Sequence, residues 1–247
     1  MNTHKKVERT YFHKTLIIDI ETVPLLYDWN MLPEGLKAHW LHKMNFLSLS
    51  DAEKEDPAAV FRDRAGIYSE FGKIVCIGLG YISLQGGAEE IRLKAIRNDD
   101  ERQLLSEFCD TVAHFAAQNK ELFFCGHNIK EFDIPYICRR MLIHGIGLPA
   151  CLNLSGLRPW QVPHQDTLEL WRFGDYKSYV SLDLLAQVLG VPSSKTGMDG
   201  GKVAAAYWED RDLERITAYC LNDVYTTALV YMKLKGWKEA FPQPVYV

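Results

Sequence analysis

TLIIDIET, residues 15–22, is the stretch on which the fold turns. Asp19 apart, its first six residues make a largely apolar, β-branched run, the composition of a strand buried on both faces. Into this run the chain sets Asp19 and Glu21. Two residues apart on a strand, both side chains project from one face, so that face must become wet or metal-bound near the strand's end. For these two residues alone a plainer reading stays open: Asp19 ends the strand and Glu21 is exposed.

Outward from this strand, KIVCIGLGYI (residues 73–82) is apolar at odd and even positions alike and reads as a second central strand, with IRLKAI (91–96) able to pair beside it. Asn98 and Glu101 have capping-box spacing and open a helix with its stripe at Leu104, Leu105, Phe108, Val112 and Phe115. Residues 122–125 form a compact strand ending at Gly126, followed by a helix through Ile134, Ile137 and Met141 that stops near Gly145. Ser181 caps a helix through Leu182, Leu185 and Leu189, ended by Gly190 and Pro192. The last helix carries its stripe at Leu213, Ile216, Cys220, Val224, Ala228 and Tyr231. Strands that come early, with helices between and after them, predict an α/β domain. Residues 25–71 hold two helical stretches and are expected to lie over one end of the sheet; residues 148–163 read as a long surface loop. With no repeat, low-complexity tract or linker, residues 1–247 are expected to form one domain.

At 47% hydrophobic residues there is ample material for a core, and no apolar run approaches the ~20 residues of a spanning helix. The polar, basic start lacks the apolar region of a secretory signal. The six cysteines form no C-x-x-C pair and several lie among apolar neighbours, which predicts reduced, buried thiols in a cytoplasmic protein and disfavours structural zinc. A net charge of −4 argues against a protein that coats nucleic acid, while leaving room for a local phosphate-binding patch.

Three more residues join the first pair. Asp133, in HNIKEFD, falls in the first turn of a helix, where an acid is also at home for reasons of the helix dipole. Tyr219 and Asp223, in YCLND, are four apart and share a helix face beside the apolar stripe, although a surface pair would have the same spacing. Isolated buried carboxylates cost several kcal/mol or neutralise, and a divalent metal makes a cluster of them tolerable. D-x-E, then N-x-x-x-F-D, then Y-x-x-x-D, in that order, is a specific pattern.

On those motifs the sequence resembles the DnaQ-like 3′-5′ exonucleases of the DEDD type. Motif I is DIET (19–22), motif II HNIKEFDIPY (127–136), close to the version in the proofreading domain of family-B DNA polymerases, and motif III YCLND (219–223), which indicates the tyrosine subclass, DEDDy. SLDLLAQVLGVPSSKTGMDG (181–200) extends the likeness to stand-alone relatives of that domain. No polymerase or other partner domain is expected on the chain, and the biological role stays open.

The resemblance implies a ribonuclease H-like α/β fold: a mixed five-stranded sheet flanked by helices, with a helical insertion between the first two strands. It implies that Asp19, Glu21, Asp133 and Asp223 hold two Mg²⁺ or Mn²⁺ ions, about 3.5–4 Å apart, that activate water and stabilise the leaving oxygen. Asp19 would bridge them, Asp133 would lie further out, and Tyr219 would orient the attacking water. Thr22, Asn128 and Lys195 are candidate substrate contacts, Asn128 being equally suited to fixing the motif II turn. Lys202 and Arg172 are further phosphate candidates. Asp166 is either a supporting acid or a surface or capping residue, His127 a packed strand-end residue and Phe132 core. Trp40 and Tyr68 are placed to stack on a terminal base, and with Trp29, Phe46 and Phe61 to cover the cleft partly. The partner expected is a nucleic acid 3′ end, DNA rather than RNA, with no membrane. Competing readings are an exoribonuclease, an exonuclease for mismatched duplex ends, a ribonuclease H-type endonuclease and a non-catalytic binding module; intact acids count against the last.

Overall fold

The computed structural model describes residues 12–85, 88–119, 121–175, 177, 179–193 and 198–247. In chain order the strands are β1 (Thr15–Pro24), β2 (Gly72–Gln85), β3 (Ala88–Arg97), β4 (Phe123–Gly126), β5 (Gln165–Asp166) and β6 (Pro244–Tyr246). The α-helices are α1 (Glu34–Met44), α2 (Asp51–Glu55), α3 (Pro57–Arg64), α4 (Glu101–Gln118), α5 (Asp133–Ile143), α6 (Thr167–Arg172), α7 (Leu182–Leu189), α8 (Val203–Trp208) and α9 (Leu213–Leu234).

The strands form one sheet in the order β5-β4-β1-β2-β3-β6. β2 pairs antiparallel with both β1 and β3, while β4 pairs parallel with β1 and β5 with β4. This is the mixed ribonuclease H-like arrangement, with one strand beyond the five expected: β6, which pairs parallel with β3 through Ile91–Pro244 and two further positions. A strand that begins with proline survives here because it is an edge.

The two faces of β1 meet different helices. Leu16, Ile18 and Ile20 pack with Leu104, Leu105 and Phe108 of α4 and with Ile134, Ile137 and Met141 of α5. Ile17, on the other face, packs with Leu185 of α7 and with Val224, Ala228 and Tyr231 of α9. β1 is therefore central and buried on both sides, as its composition requires, and it continues past Ile20 to Pro24 with a register shift between Glu21 and Thr22.

Helix ends follow local chemistry. Ser181 caps α7 and Gly190 closes it at φ 65°. For α4 the cap is Asp100, which accepts the N–H groups of Arg102 and Gln103, while Asn98 accepts that of Asp100. The expected Asn98–Glu101 box does not form, because Glu101 turns inward to a buried arginine. The insertion has its own small core of Leu32, Trp40, Met44, Val60, Phe61, Ala65 and Phe71. Trp40 and Phe61 are fully buried there, which removes Trp40 from base stacking and both from covering the cleft; Phe46 is 76% exposed. Tyr68 is half-buried, with Lys43 over its ring and Trp40 at its edge.

Candidate active site

Asp19 and Glu21 face α9. What lets that helix come close is β2: Gly78 pairs with Asp19 in the register, and a Cβ on it would lie 2.8 Å from both Cys220 Sγ and Val224 Cγ2. A Cβ on Gly80 would lie 2.7 Å from Val224 Cγ1. Strand glycines mark places where another backbone approaches closely, and here they lay Tyr219, Cys220 and Asp223 alongside β1. Cys220 Sγ is 3.5 Å from both the main-chain oxygen and Oδ2 of Asp19. One ligand atom each of Asp19, Glu21 and Cys220 lie within 4.8 Å of one another.

Asp133 enters from α5. Its Oδ1 accepts the Ile20 N–H at 3.0 Å, which ties motif II to motif I between the two acids of β1. The turn that delivers it is built from backbone constraints. Gly126 ends β4 so tightly that a Cβ would collide with Ile129 and sit 2.7 Å from the Ile18 carbonyl oxygen. Asn128 takes the left-handed conformation at φ 64°, which asparagine tolerates better than most residues. Asp166, only 3% exposed, accepts the backbone N–H groups of Asn128, Lys130 and Leu168. It is thus both the cap of α6 and a clamp on the motif II turn. His127 lies with Nδ1 2.9 Å from Thr167 Oγ1 and Nε2 2.8 Å from the Val180 carbonyl oxygen, a structural tie rather than a ligand.

The acids act on one another. Burial pushes Asp19 well above the usual carboxylate range, and the charges of Glu21, Asp133 and Asp223 push further. Glu21 rises through burial, then Asp223, Cys76 and Asp133. Asp133 is raised by burial to about 7, with Asp166 and Asp223 adding to the rise and the hydrogen bonds from its own and the Ile20 backbone opposing it. Tyr219 is raised by burial first, then by the charges of Asp223, Glu21 and Asp19 and by a hydrogen bond with Asp223. The structure therefore brings Asp19, Glu21, Asp133, Asp223 and Tyr219 to one place. Glu21 is 6% exposed, and its carboxylate accepts no hydrogen bond among the described residues. A buried carboxylate left without donors, beside three others, is a donor set with the chemistry of a hard divalent cation site.

The other candidates scatter. Thr22 is half-buried and hydrogen-bonds with Tyr136, whose hydroxyl donates to the Gly66 carbonyl oxygen at 2.8 Å. Phe132 is half-buried against Tyr136 at the edge of the core. Arg172 lies 3.9 Å from Glu131, and Lys202 pairs with Asp199. Lys195 falls outside the described residues. Two contributors escaped the motif reading, Cys220 and the depth of Asp166. For Cys220 the signal was its place on the helix stripe one residue after Tyr219; Asp166 had only a two-residue strand around it.

The family model for a predicted 3′-5′ exonuclease related to the exonuclease domain of PolB matches residues 67–247. That span holds Asp133, Tyr219 and Asp223; Asp19 and Glu21 precede it and join them through the sheet. Among curated proteins no match is found. A solved structure, the family B DNA polymerase from the hyperthermophilic archaeon Pyrobaculum calidifontis, is similar over 89% of this chain with 18% identity and a TM-score of 0.49. The chain spans 24% of that polymerase chain.

Proposed function

The chain belongs to the family of predicted 3′-5′ exonucleases related to the exonuclease domain of PolB, and from that premise we propose that it is a metal-dependent exonuclease that removes single nucleotides from the 3′ ends of single-stranded DNA. The observation that carries the reading is the mutual electrostatic penalty of Asp19, Glu21, Asp133 and Asp223, which burial and proximity impose together. Those four carboxylates would hold two Mg²⁺ or Mn²⁺ ions, since all-oxygen donors suit such hard cations. Bound there, the ions would supply a more acidic water and charge stabilisation for both the entering and leaving oxygens.

The chain's own residues do the rest. Water adds across the terminal P–O3′ bond, which breaks to release a nucleoside 5′-monophosphate and leave a new 3′-OH. The Tyr219 phenol stays protonated among its acidic neighbours, so it is not the base. It donates its O–H toward Asp223 and accepts a hydrogen bond from the attacking water, aiming a lone pair of that water at phosphorus. Asp133, fixed by the Ile20 N–H, holds the outer side of the cluster. Cys220 directs its S–H at Asp19 and keeps that carboxylate turned toward α9. Thr22 of motif I and Asn128 of motif II would contact the terminal nucleotide, with Lys195 a phosphate contact.

The test is digestion of 5′-labelled linear single-stranded DNA, duplex DNA, RNA and circular single-stranded DNA with Mg²⁺, Mn²⁺ or chelator. A ladder shortening from the 3′ end of linear single strands, with duplex and circle resistant and chelated samples inert, supports the proposal. Equal digestion of RNA would make it an exoribonuclease, efficient cutting of the circle an endonuclease, and inertness throughout a binding module.

A further inference from the structure

Where β1 ends, beyond the carboxylates, cations rest on aromatic rings instead of on acids. Trp208, the last residue of α8, donates its indole N–H to the carbonyl oxygen of Pro24, the last residue of β1. Pro24 is three residues past Glu21, about 10 Å along a strand. Tyr27, 39% exposed, lies beside Trp208 with ring centroids 6.3 Å apart and planes tilted by 38°. The guanidinium of Arg62, from α3, sits 6.0 Å over the Tyr27 ring, and that of Arg211 5.6 Å over the Trp208 ring. Neither Arg62 nor Arg211 has a carboxylate partner among the described residues. Arg211 is held out at φ 56° in the turn between α8 and α9, the helix that carries Tyr219 and Asp223.

The ring pair is fixed from behind. Lys73 donates to the Tyr207 hydroxyl at 2.8 Å, with its ammonium 5.2 Å over the Trp208 ring, and Tyr207 donates to Asp99 at 2.6 Å. Acids near the patch are engaged elsewhere: Asp99 in that chain, Glu209 as acceptor of the Tyr27 hydroxyl, and Asp210 and Asp212, on either side of Arg211, with Arg215. Elsewhere on the surface, arginines and lysines such as Arg64, Lys94, Arg97 and Arg215 are spent on acids.

Two neighbouring rings with two uncommitted guanidiniums are the ingredients of single-strand recognition: every base has a face to stack, and every nucleotide a phosphate to neutralise. Arginine is the cation suited to both, being planar and forked. We propose that Tyr27, Trp208, Arg62 and Arg211 form a strand-gripping subsite for single-stranded nucleic acid, placed at the outlet of β1 so that a strand held there can extend its 3′ end to the carboxylates. This rests on the exonuclease reading and gives it a substrate track.

The experiment is fluorescence anisotropy of labelled oligothymidylate of twelve residues across a salt series, with Ca²⁺ in place of an activating ion. It compares wild type, R62A/R211A and R62K/R211K, each first checked for an unchanged melting temperature. R62A/R211A is expected to bind about ten-fold more weakly at low salt, with the slope of log K against log salt shallower by about 1.4, two released counterions at ~0.7 each on a single strand. R62K/R211K is expected to restore the slope. Wild-type affinity and slope in R62A/R211A would overturn the subsite. In a separate arm, wild type alone is given the p-nitrophenyl ester of thymidine 5′-monophosphate, too small to span the track. Hydrolysis reports the carboxylate site; its absence would remove the exonuclease reading, while the anisotropy series still decides the subsite.

Discussion

Helix α5 takes part in two buried acid sites that solve the same electrostatic problem in opposite ways. Near its C-terminal end, Arg140 gives Glu101 its Nε at 2.9 Å, with Nη2 alongside, and Nη1 donates to the Ser69 carbonyl oxygen at 2.9 Å. Glu101 also accepts the Ile74 N–H at 2.7 Å, with His144 Nε2 2.8 Å away. At the N-terminal end, Asp133 joins three other carboxylates whose strongest mutual influences are repulsive. The first site is an acid with its partners built in, locking α4, α5 and the start of β2 together. The second has been left in want of positive charge. A completed ion network reads as architecture and an incomplete one as a place kept for a ligand, and the two differ although both are buried and acidic.

That contrast can be broken or sharpened by substitution. Asp19→Ala is expected to reduce nucleolytic activity to background, yet to leave the melting temperature of metal-free protein unchanged or higher, because one repelling carboxylate is gone. A large loss of thermal stability in chelator would instead make Asp19 as structural as Glu101. Arg140→Ala strands a buried carboxylate and should cost about 3–5 kcal/mol in urea unfolding. Replacing both partners, Glu101→Gln with Arg140→Met, should return part of that loss; no recovery would mean that the network contributes through shape and not charge. Tyr219→Phe should slow turnover about 10²–10³-fold, the effect of losing one oriented hydrogen bond in catalysis. Calorimetric titration with Mn²⁺ should find affinity unchanged, and a matching fall in affinity would make the phenol a ligand.

A fourth expectation concerns pH. Asp133, raised to about 7, and Asp19 and Glu21, raised well above the usual range, bind protons more readily folded than unfolded. The native state therefore holds more protons between pH 4 and 7, and stability falls as pH rises through that window. Metal-free protein should be more stable near pH 5 than near pH 8 by an amount on the order of a few kcal/mol, and Mn²⁺ should abolish the difference. A metal-free protein that gains stability toward pH 8 would show that other groups dominate. The smallest effect belongs to Asp166→Asn, which weakens three backbone hydrogen bonds, one of them the cap of α6, and should cost about 1 kcal/mol with a modest loss of activity. A change confined to stability would detach the clamp from the chemistry.

The large elements were readable because they repeat a pattern over many residues. β1, β2, α4 and α9 declare themselves through runs of apolar residues at strand or helix period, and the carboxylates stand out against those runs. What escaped was either short or settled by tertiary contact. β5 has two residues and β6 three, too few for any period, and α6 and α8 have six each. Asn98 and Asp100 are equally good caps by type, and only the inward turn of Glu101 decides between them. Trp40 and Trp208 are indistinguishable as letters; one is sealed in the insertion's core and the other lies beside Tyr27 at the surface. Glu101 looked like a helix-start acid and Asp133 like another, and only the presence of an arginine beside one of them tells the two apart.

Gly78 has no side chain, binds nothing and lies on a strand that contributes no catalytic group, yet it sets the gap between motifs I and III. The mutational sensitivity of this enzyme should accordingly not map onto chemical reactivity. A position that looks silent in any survey of functional groups governs how far Tyr219 and Asp223 stand from Asp19, and a single added methyl there would meet Cys220 Sγ at 2.8 Å. Selection acting on catalytic rate thus has a lever that leaves every reactive residue in place: the thickness of one contact between a strand and a helix.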